Sequence, residues 1–532
     1  MLEKVIIENY KQFKNFRIDL NRDVNVIIGN NESGKTSLFE AINLALTCKL
    51  YGRPLFQELS PFLFNIEVIN EYLDKLHQGI RAELPEILIE LYFSDDLDSS
   101  FEGTNNSLNE NHSGVYLKIA FDPQFQGEYE DYIADVDQVK TIPVEYYTFE
   151  WYSFANWPFK FTKVPMRSLL INNIEHRYTQ GPDKYIANLI EFSLNKKQNA
   201  ELALKYRKLK EEFIEDDKIK EINESFTLPE HKISDKKTEI SIDTSAKNSW
   251  DSGLSLYLDE IPFKFVGKGE QNSIKTKLAI RANAESSNII MIEEPETSLS
   301  FSNLNKLTNY IKENCTGKQL LINTHSSFVL NKSGLDKAIL MNGDNCFRIQ
   351  DLEEETYTYF KKLPGYDTLR MILAKKAILV EGPSDELIVQ KAYKDVHGKL
   401  PIEDGIDVIS VRGLAFKRFL DIAKEVKNPV SVITDNDGNL EALKAKYSEY
   451  QSCRNINIFY SDDIQYKTLE PQIIACNDIA NLKSIFNKTN NNDEDFKTFF
   501  ESKNNKTDVA LKIFETEIGA VVIPQYIKDA IE

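Results

Sequence analysis

The sequence is short of cysteine. Its 532 residues hold five, Cys48, Cys315, Cys346, Cys453 and Cys476, far apart and with no C-x-x-C pair. That scatter argues against a zinc ribbon and against a disulfide framework, and it fits a reducing compartment. Long apolar runs are missing as well. No stretch approaches the roughly 18 apolar residues of a membrane span, so no membrane association is expected. The opening MLEKVIIENY lacks the basic-then-apolar design of a secretion signal, and the expected location is the cytoplasm. Positive charge is in deficit. Against 83 Asp and Glu stand 64 Lys and Arg, a net charge of −19. A uniformly basic nucleic-acid glove is excluded; any contact with a polyanion must be local, through small basic patches or bridging metal ions. What is present suffices for folded domains. Apolar residues make up 42% and aromatic residues 11%, enough for sizeable cores, and the length implies two or three domains.

The densest signal lies between Val24 and Leu46. Val24, Val26, Ile27 and Ile28 form a short apolar run of buried-strand type, and Leu38, Ile42 and Leu46 then recur on one face of a helix. Between them stands Gly29-Asn30-Asn31-Glu32-Ser33-Gly34-Lys35-Thr36, followed by Ser37, a complete phosphate-loop pattern. The glycines let backbone N–H groups approach a phosphate. Lys35 supplies a mobile positive charge, and the Thr36 hydroxyl suits a Mg2+ ion. The helix N-terminus points at the anion. The remaining parts of such a site are sought downstream. Ile289 to Ile292 is a second apolar run and ends in Glu293-Glu294-Pro295-Glu296, carboxylates suited to hold Mg2+ and orient water. Leu320 to His325 is a third strand ending in histidine, a candidate sensor of the terminal phosphate. Val266 to Asn272, with Gly267 and Gly269, is a Gly-rich turn entering a helix.

This order of phosphate loop, Gly-rich signature, acidic strand end and strand-end histidine resembles an ABC-type ATPase of the RecF and SMC kind. Leu2 to Asp19 resembles the first hairpin of those ATPases. One departure stands out: the acidic pair is Glu-Glu rather than Asp-Glu, and this EEPE variant resembles the OLD-family ATPases. The resemblance implies ATP held by Asn30 to Ser37, Glu293 and His325, with Glu294 catalytic, Thr36 and Glu293 on the metal, and Gly267 and Gly269 covering the nucleotide of a second subunit.

Between these parts the texture varies. Glu86 to Phe93, Val115 to Phe121 and Tyr146 to Phe154 alternate apolar and polar residues as half-buried strands do, which predicts an antiparallel sheet. From about Pro182 the period turns helical. Leu202, Tyr206, Leu209 and Phe213 form a bundle-type stripe among Lys205, Arg207, Lys208 and Lys210, read as a dimerisation arm, a DNA-touching arm or a solvated amphipathic helix. Ser225 to Asn248 reads as a polar connector.

From Met371 strands and helices alternate regularly: Ala377 to Val380, Ile406 to Val411, Val430 to Ile433 and Ile456 to Phe459 are strands. Such alternation predicts a parallel, doubly wound sheet with its functional groups at the C-terminal strand ends. Glu381 follows the first strand, and Asp435 and Asp437 follow the third. Carboxylates there can converge on hard cations, and one or two such ions can activate a nucleophile at a phosphodiester. Asp385, one helical turn past Glu381, and Glu470 are further candidate ligands. Lys417 and Arg418, with Arg412, form a basic rim for a nucleic-acid backbone.

E-G at one strand end and D-x-D-G at another resemble a Toprim domain. Lys506, Asp508 and Lys528 resemble the late Lys and Asp positions of OLD-family Toprim domains, where a lysine would neutralise the phosphate and Asp508 would join the metal ligands. The expected fold is α/β, an ABC-type ATPase domain with a helical insert followed by a doubly wound parallel-sheet Toprim domain. The expected division is 1–181 and 241–370 for the ATPase, 182–240 for the insert and 371–532 for Toprim. The combination resembles the OLD nucleases and, more distantly, the nuclease subunit of Gabija-type antiphage systems. It implies a DNA endonuclease or nickase, using ATP and two Mg2+ or Mn2+ ions, working as a homodimer or higher homo-oligomer and in some relatives beside a UvrD-like helicase. A RecF-like clamp without cleavage and an RNA-cutting Toprim effector remain open at this point. A topoisomerase would need a catalytic tyrosine in its own domain, and a primase lacks its zinc motif here.

Overall fold

Alternating apolar residues decide the first sheet. In the computed structural model, which describes residues 1–80, 82–94, 98–159, 166–172, 194–225, 256–283, 285–362, 366–411 and 416–532, strand Leu2–Tyr10 pairs antiparallel with both Phe13–Asp19 and Ile87–Phe93. Strand Ile87–Phe93 pairs with His112–Phe121, and that strand with Tyr147–Ser153. Val115, Leu117 and Ile119 are buried, as their period-2 spacing predicts. The expected hairpin and antiparallel sheet are both present.

Packing divides the chain into two units that cut across sequence order. One comprises Met1, Leu46–Glu58 and Phe161–Leu320; the other comprises Leu2–Ala45, Leu59–Lys160 and Leu321–Glu532. In the first unit, strand Ser168–Ile171 runs parallel to Ile289–Glu293, and helices Lys268–Asn283 and Phe301–Asn314 pack together. This unit also carries helix Lys196–Glu215, started by a capping box in which Asn195 and Gln198 bond reciprocally. Of its expected stripe, Leu209 and Phe213 are exposed, and the Lys210 ammonium lies 4.7 Å over the Tyr206 ring. The boundaries expected at 181/182 and 240/241, and nearly all of the Ser225 to Asn248 connector, lie outside the described residues.

In the second unit the phosphate-loop strand Val24–Gly29 runs parallel to Ala338–Asn342, which pairs antiparallel with Asn345–Arg348. The same unit holds a four-stranded parallel sheet in the order Ile406–Ser410, Lys376–Val380, Val430–Ile433, Ile456–Phe459. Each strand matches its expected position. Alternate residues feed opposite cores. Ala377, Leu379, Val430 and Val432 join one core with helix Phe416–Val426. Ile378, Val380 and Ile433 join the other with helices Pro383–His397, Lys506–Phe514 and Gln525–Ile531. The chain order of the strands is 2-1-3-4, so the direction of winding reverses between the first and third. In open parallel sheets that crevice, at the carboxyl ends, is where ligands bind.

Candidate functional site

The phosphate loop is shaped by close contacts. Gly34 has φ +102°, and a Cβ there would lie 2.6 Å from the Phe13 ring; at Gly29 a Cβ would lie 2.3 Å from Met341 O. Only glycine fits either place. Lys35 Nζ donates to Gly29 O and Asn30 O, both at 2.8 Å, so the ammonium spans the mouth of its own loop. Asn31 N donates to Asn30 Oδ1, and Ser33 N to Asn30 O. Asn31 and Glu32 are exposed and Thr36 is half-buried. Ser37 is buried and donates to Gln12 Oε1 at 2.9 Å. Gln12 went unnoticed in the sequence because its partner lies 25 residues away.

In the other unit, Glu293 is buried at the end of its strand. Glu294 has φ +41°, a left-handed backbone that a glutamate adopts only under constraint. Its side chain accepts from Thr297 Oγ1 at 3.3 Å. Gly269 permits a close backbone approach, since a Cβ there would meet Ser298 O at 2.1 Å, whereas a Cβ at Gly267 meets nothing within 4 Å. His325 belongs to the unit of the phosphate loop. It lines a cavity of about 290 Å3 with Ser327, Arg370 and Asp407. There Arg370 grips Asp407 through two bonds, of 3.0 and 2.7 Å.

The Toprim crevice gathers a second set. Thr434 Oγ1 donates to Glu381 Oε1 at 2.8 Å and Asp435 N donates to the same oxygen at 3.2 Å, so the two strand ends are stitched together. Asp385 Oδ2 accepts from Gly382 N at 2.9 Å, fixing the start of helix Pro383–His397. Glu470 is buried and accepts from Lys506 Nζ at 2.9 Å. These charges feel one another. Burial pushes Asp435 up to about 8, helped by the charges of Glu381, Asp385 and Glu470 and opposed by Lys506. Burial, then Glu381 and Glu470, push Asp385 up to about 6. Burial works to lower Lys506, but its bond to Glu470 and the surrounding carboxylates outweigh it and raise its pKa. Tyr526, on helix Gln525–Ile531, is raised well above the usual tyrosine value by burial and by the charges of Asp435, Asp385, Glu381 and Glu470. Its place beside the acids is invisible in sequence, since an aromatic near the end of an amphipathic helix reads as core.

The donor set is all oxygen, the chemistry that Mg2+ and Mn2+ prefer. A divalent cation would relieve the mutual repulsion that raises Asp435 and Asp385. Among the described residues no three His, Cys, Asp or Glu side chains are arranged to hold an ion as they stand. The reason is local: Glu381 and Asp385 are turned to Thr434 and Gly382. Asp437 is exposed at the same turn, with φ +47°.

The remaining candidates have different surroundings. Asp508 is exposed. It stands two residues after Lys506, about 200° around the helix, so the two side chains leave the helix on different sides. Lys528 stands two residues after Tyr526 by the same geometry, and its charge bears on Cys476 instead. The basic rim is largely neutralised: Lys417 pairs with Glu449 at 2.9 Å and Arg418 with Glu355 at 2.6 Å. Arg412 lies outside the described residues. No described helix is long and apolar enough to cross a membrane.

Comparison with known proteins fits this arrangement. The AAA ATPase domain model matches residues 1–278, more than half of the chain. The overcoming lysogenization defect protein-like TOPRIM domain model matches residues 372–437. Endonuclease GajA of Bacillus cereus (strain VD045) is 26% identical over 182 residues, 34% of this chain and 31% of that protein. An uncharacterised protein of Methanocaldococcus jannaschii, MJECL44, is 26% identical over 234 residues, 40% of this chain and 63% of that protein. The chain therefore spans about a third of the first relative and under two thirds of the second. Among solved structures, the C-terminal region of the Xanthomonas campestris pv. campestris OLD protein aligns with TM-score 0.24 and 18% identity, over 30% of this chain and 90% of that one.

Fold and family matches together define a protein with an ATPase and a Toprim domain on one chain. The chain belongs to the AAA ATPase domain family, and its residues 372–437 match the overcoming lysogenization defect protein-like TOPRIM domain.

Proposed function

We propose that the protein is a metal-dependent DNA endonuclease or nickase whose cutting is regulated by ATP. The observation that carries this reading is the crevice at the winding reversal, where Glu381, Asp385, Asp435 and Glu470 crowd one another around Lys506. Acids held at such energetic cost mark a functional site more often than a structural one. Divalent cations, when bound, supply an activated water and a counter-charge for the leaving oxygen. Glu381, Asp435 and Asp437 would hold them, with Asp385 and Glu470 beside them. Lys506, kept protonated by Glu470, holds a positive charge where a phosphodiester gains negative charge. Thr434 keeps Glu381 oriented. The B. cereus relative is an endonuclease, in agreement with this reading.

For the nucleotide, the proposed holders are the phosphate loop from Asn30 to Ser37, led by Lys35 and Thr36. Glu293 and Glu294 are proposed as the acidic strand end, His325 as the sensor, and Gly267 to Gln271 as the turn that a second copy would present. Exposed Leu209 and Phe213 suit the insert to self-association.

Supercoiled and linear DNA incubated with Mg2+ or Mn2+, with and without ATP, test the proposal against the Asp435→Ala/Asp437→Ala protein. Nicked or linear products from the parent and none from the variant are expected. Equal cutting by both would overturn the site.

A further inference from the structure

A nuclease centre built from carboxylates repels its own substrate. The chain as a whole is acidic, and Lys417 and Arg418 are committed to Glu449 and Glu355. Lys506 is committed to Glu470. A phosphate backbone approaching the crevice therefore needs a different cation, one placed at its rim and not already paired.

The middle residue of D-x-D leads to it. Asn436 is buried, and its Nδ2 donates to Ser461 O at 2.9 Å and Asp463 O at 2.8 Å, with a longer bond of 3.4 Å to Tyr466 O. Its Oδ1 accepts from Gly438 N at 2.9 Å. Gln472 Nε2 holds Tyr466 O from below at 2.9 Å. The loop after strand Ile456–Phe459 is thus tied to the D-x-D turn at several points, by side chains that belong to the turn and to helix Leu469–Cys476. Its next residue is Lys467. The lysine stem lies along Gly438, close enough that a Cβ at Gly438 would be 2.9 Å from Lys467 Cε. Gly438 has φ +76°, so the turn favours a residue without a side chain, and the stem occupies the space left free. Lys467 is exposed and makes no ion pair among the described residues. The neighbouring Asp463 carboxylate is turned into its own loop, accepting from Gln465 N at 2.9 Å.

We propose that Lys467, held over Gly438 by the loop that Asn436 anchors, binds a phosphate of the DNA backbone at the rim of the acid crevice and so sets substrate affinity. The inference rests on the nuclease reading. An anchored loop limits the entropy lost when the ammonium meets a phosphate, and one such contact releases about one counterion.

Binding and cutting are measured separately. A short fluorescent DNA duplex is titrated in Ca2+ with the parent, Lys467→Met and Lys467→Arg proteins over a range of salt. Lys467→Met should bind about threefold to tenfold more weakly, with a salt slope smaller by about 0.9, and Lys467→Arg should bind nearly as the parent does. In Mg2+, Lys467→Met should raise KM for DNA and leave kcat and the Mg2+ requirement unchanged. If the parent binds with these differences yet never cuts, Lys467 stands and the nuclease reading falls. Equal binding and slope for Lys467→Met and parent overturn the proposal, as does a loss confined to kcat, or a parent that does not bind DNA.

Discussion

Asp435 shows what a functional carboxylate costs its fold. Its pKa rises from 3.8 to about 8 because burial comes first and three like charges add to it. The folded state therefore binds this proton more tightly than the unfolded state does. Stability from this group falls as pH rises from about 4 towards 8 and levels off above. Asp435→Asn removes the charge and keeps the shape. In EDTA the variant should melt higher than the parent, with little gain at pH 4, a growing gain through pH 6 and 7, and the full gain above pH 8. Mg2+ should narrow the gap by stabilising only the parent. Melting curves across pH check this, and an offset independent of pH would mean that Asp435 is not strained. The same substitution should abolish cutting. A residue that both destabilises and is required is the signature of a site shaped for chemistry.

At the scale of the element, helix geometry separates near neighbours. Lys506 and Asp508 share helix Lys506–Phe514, but two residues turn the helix by about 200°, so one faces Glu470 and the other solvent. Lys506→Ala should lower the cutting rate on the order of a hundredfold, and Asp508→Ala less than twofold. Rates on one supercoiled substrate decide it, and equal losses would place Asp508 at the site. The phosphate loop makes a parallel case. Gly34→Ala places a methyl 2.6 Å from the Phe13 ring at φ +102°, which should cost about 1–3 kcal/mol and abolish ATP binding measured by calorimetry. Unchanged affinity would show that the loop does not carry the nucleotide.

These elements also mark what could be read in advance. The four strands of the parallel sheet announced themselves as apolar runs, and Glu381 and Asp435 followed from their strand ends. The phosphate loop followed from glycine spacing. Tyr526, Gln12 and Asn436 did not, because each acts through a contact far away in the chain and has an ordinary local setting. Lys528 and Asp508 rested on a family resemblance rather than on a pattern of their own. Lys417 and Arg418 looked free because Glu449 and Glu355 lie 32 and 63 residues away.

For the molecule as a whole, the consequence lies in how one core is shared. Val26 and Ile28 of the phosphate-loop strand, with Leu340 and Ile349, belong to the same buried cluster as Ala377, Leu379, Val432 and Phe416 of the Toprim domain. Asn342 Nδ2 donates to Val426 O at 3.1 Å across that contact, and residue 371, the expected first residue of the domain, falls inside helix Tyr366–Leu373. Helix Phe416–Val426 thus packs on strands Val430–Ile433 and Ile456–Phe459 and also on strands Ala338–Asn342 and Asn345–Arg348 of the phosphate-loop sheet. A core that is shared cannot be cut at a sequence boundary without exposing apolar surface. The fragment 371–532 should be poorly soluble and should bind a hydrophobic dye. Leu340→Ala, which touches neither site, should cost about 2–5 kcal/mol and should weaken hydrogen-exchange protection in Lys376–Val380 and Val430–Ile433 as well as in Val24–Gly29. Loss confined to Val24–Gly29 and Ala338–Asn342 would mean that the Toprim sheet folds on its own, and a nucleotide at the phosphate loop would then need some other route to the acids.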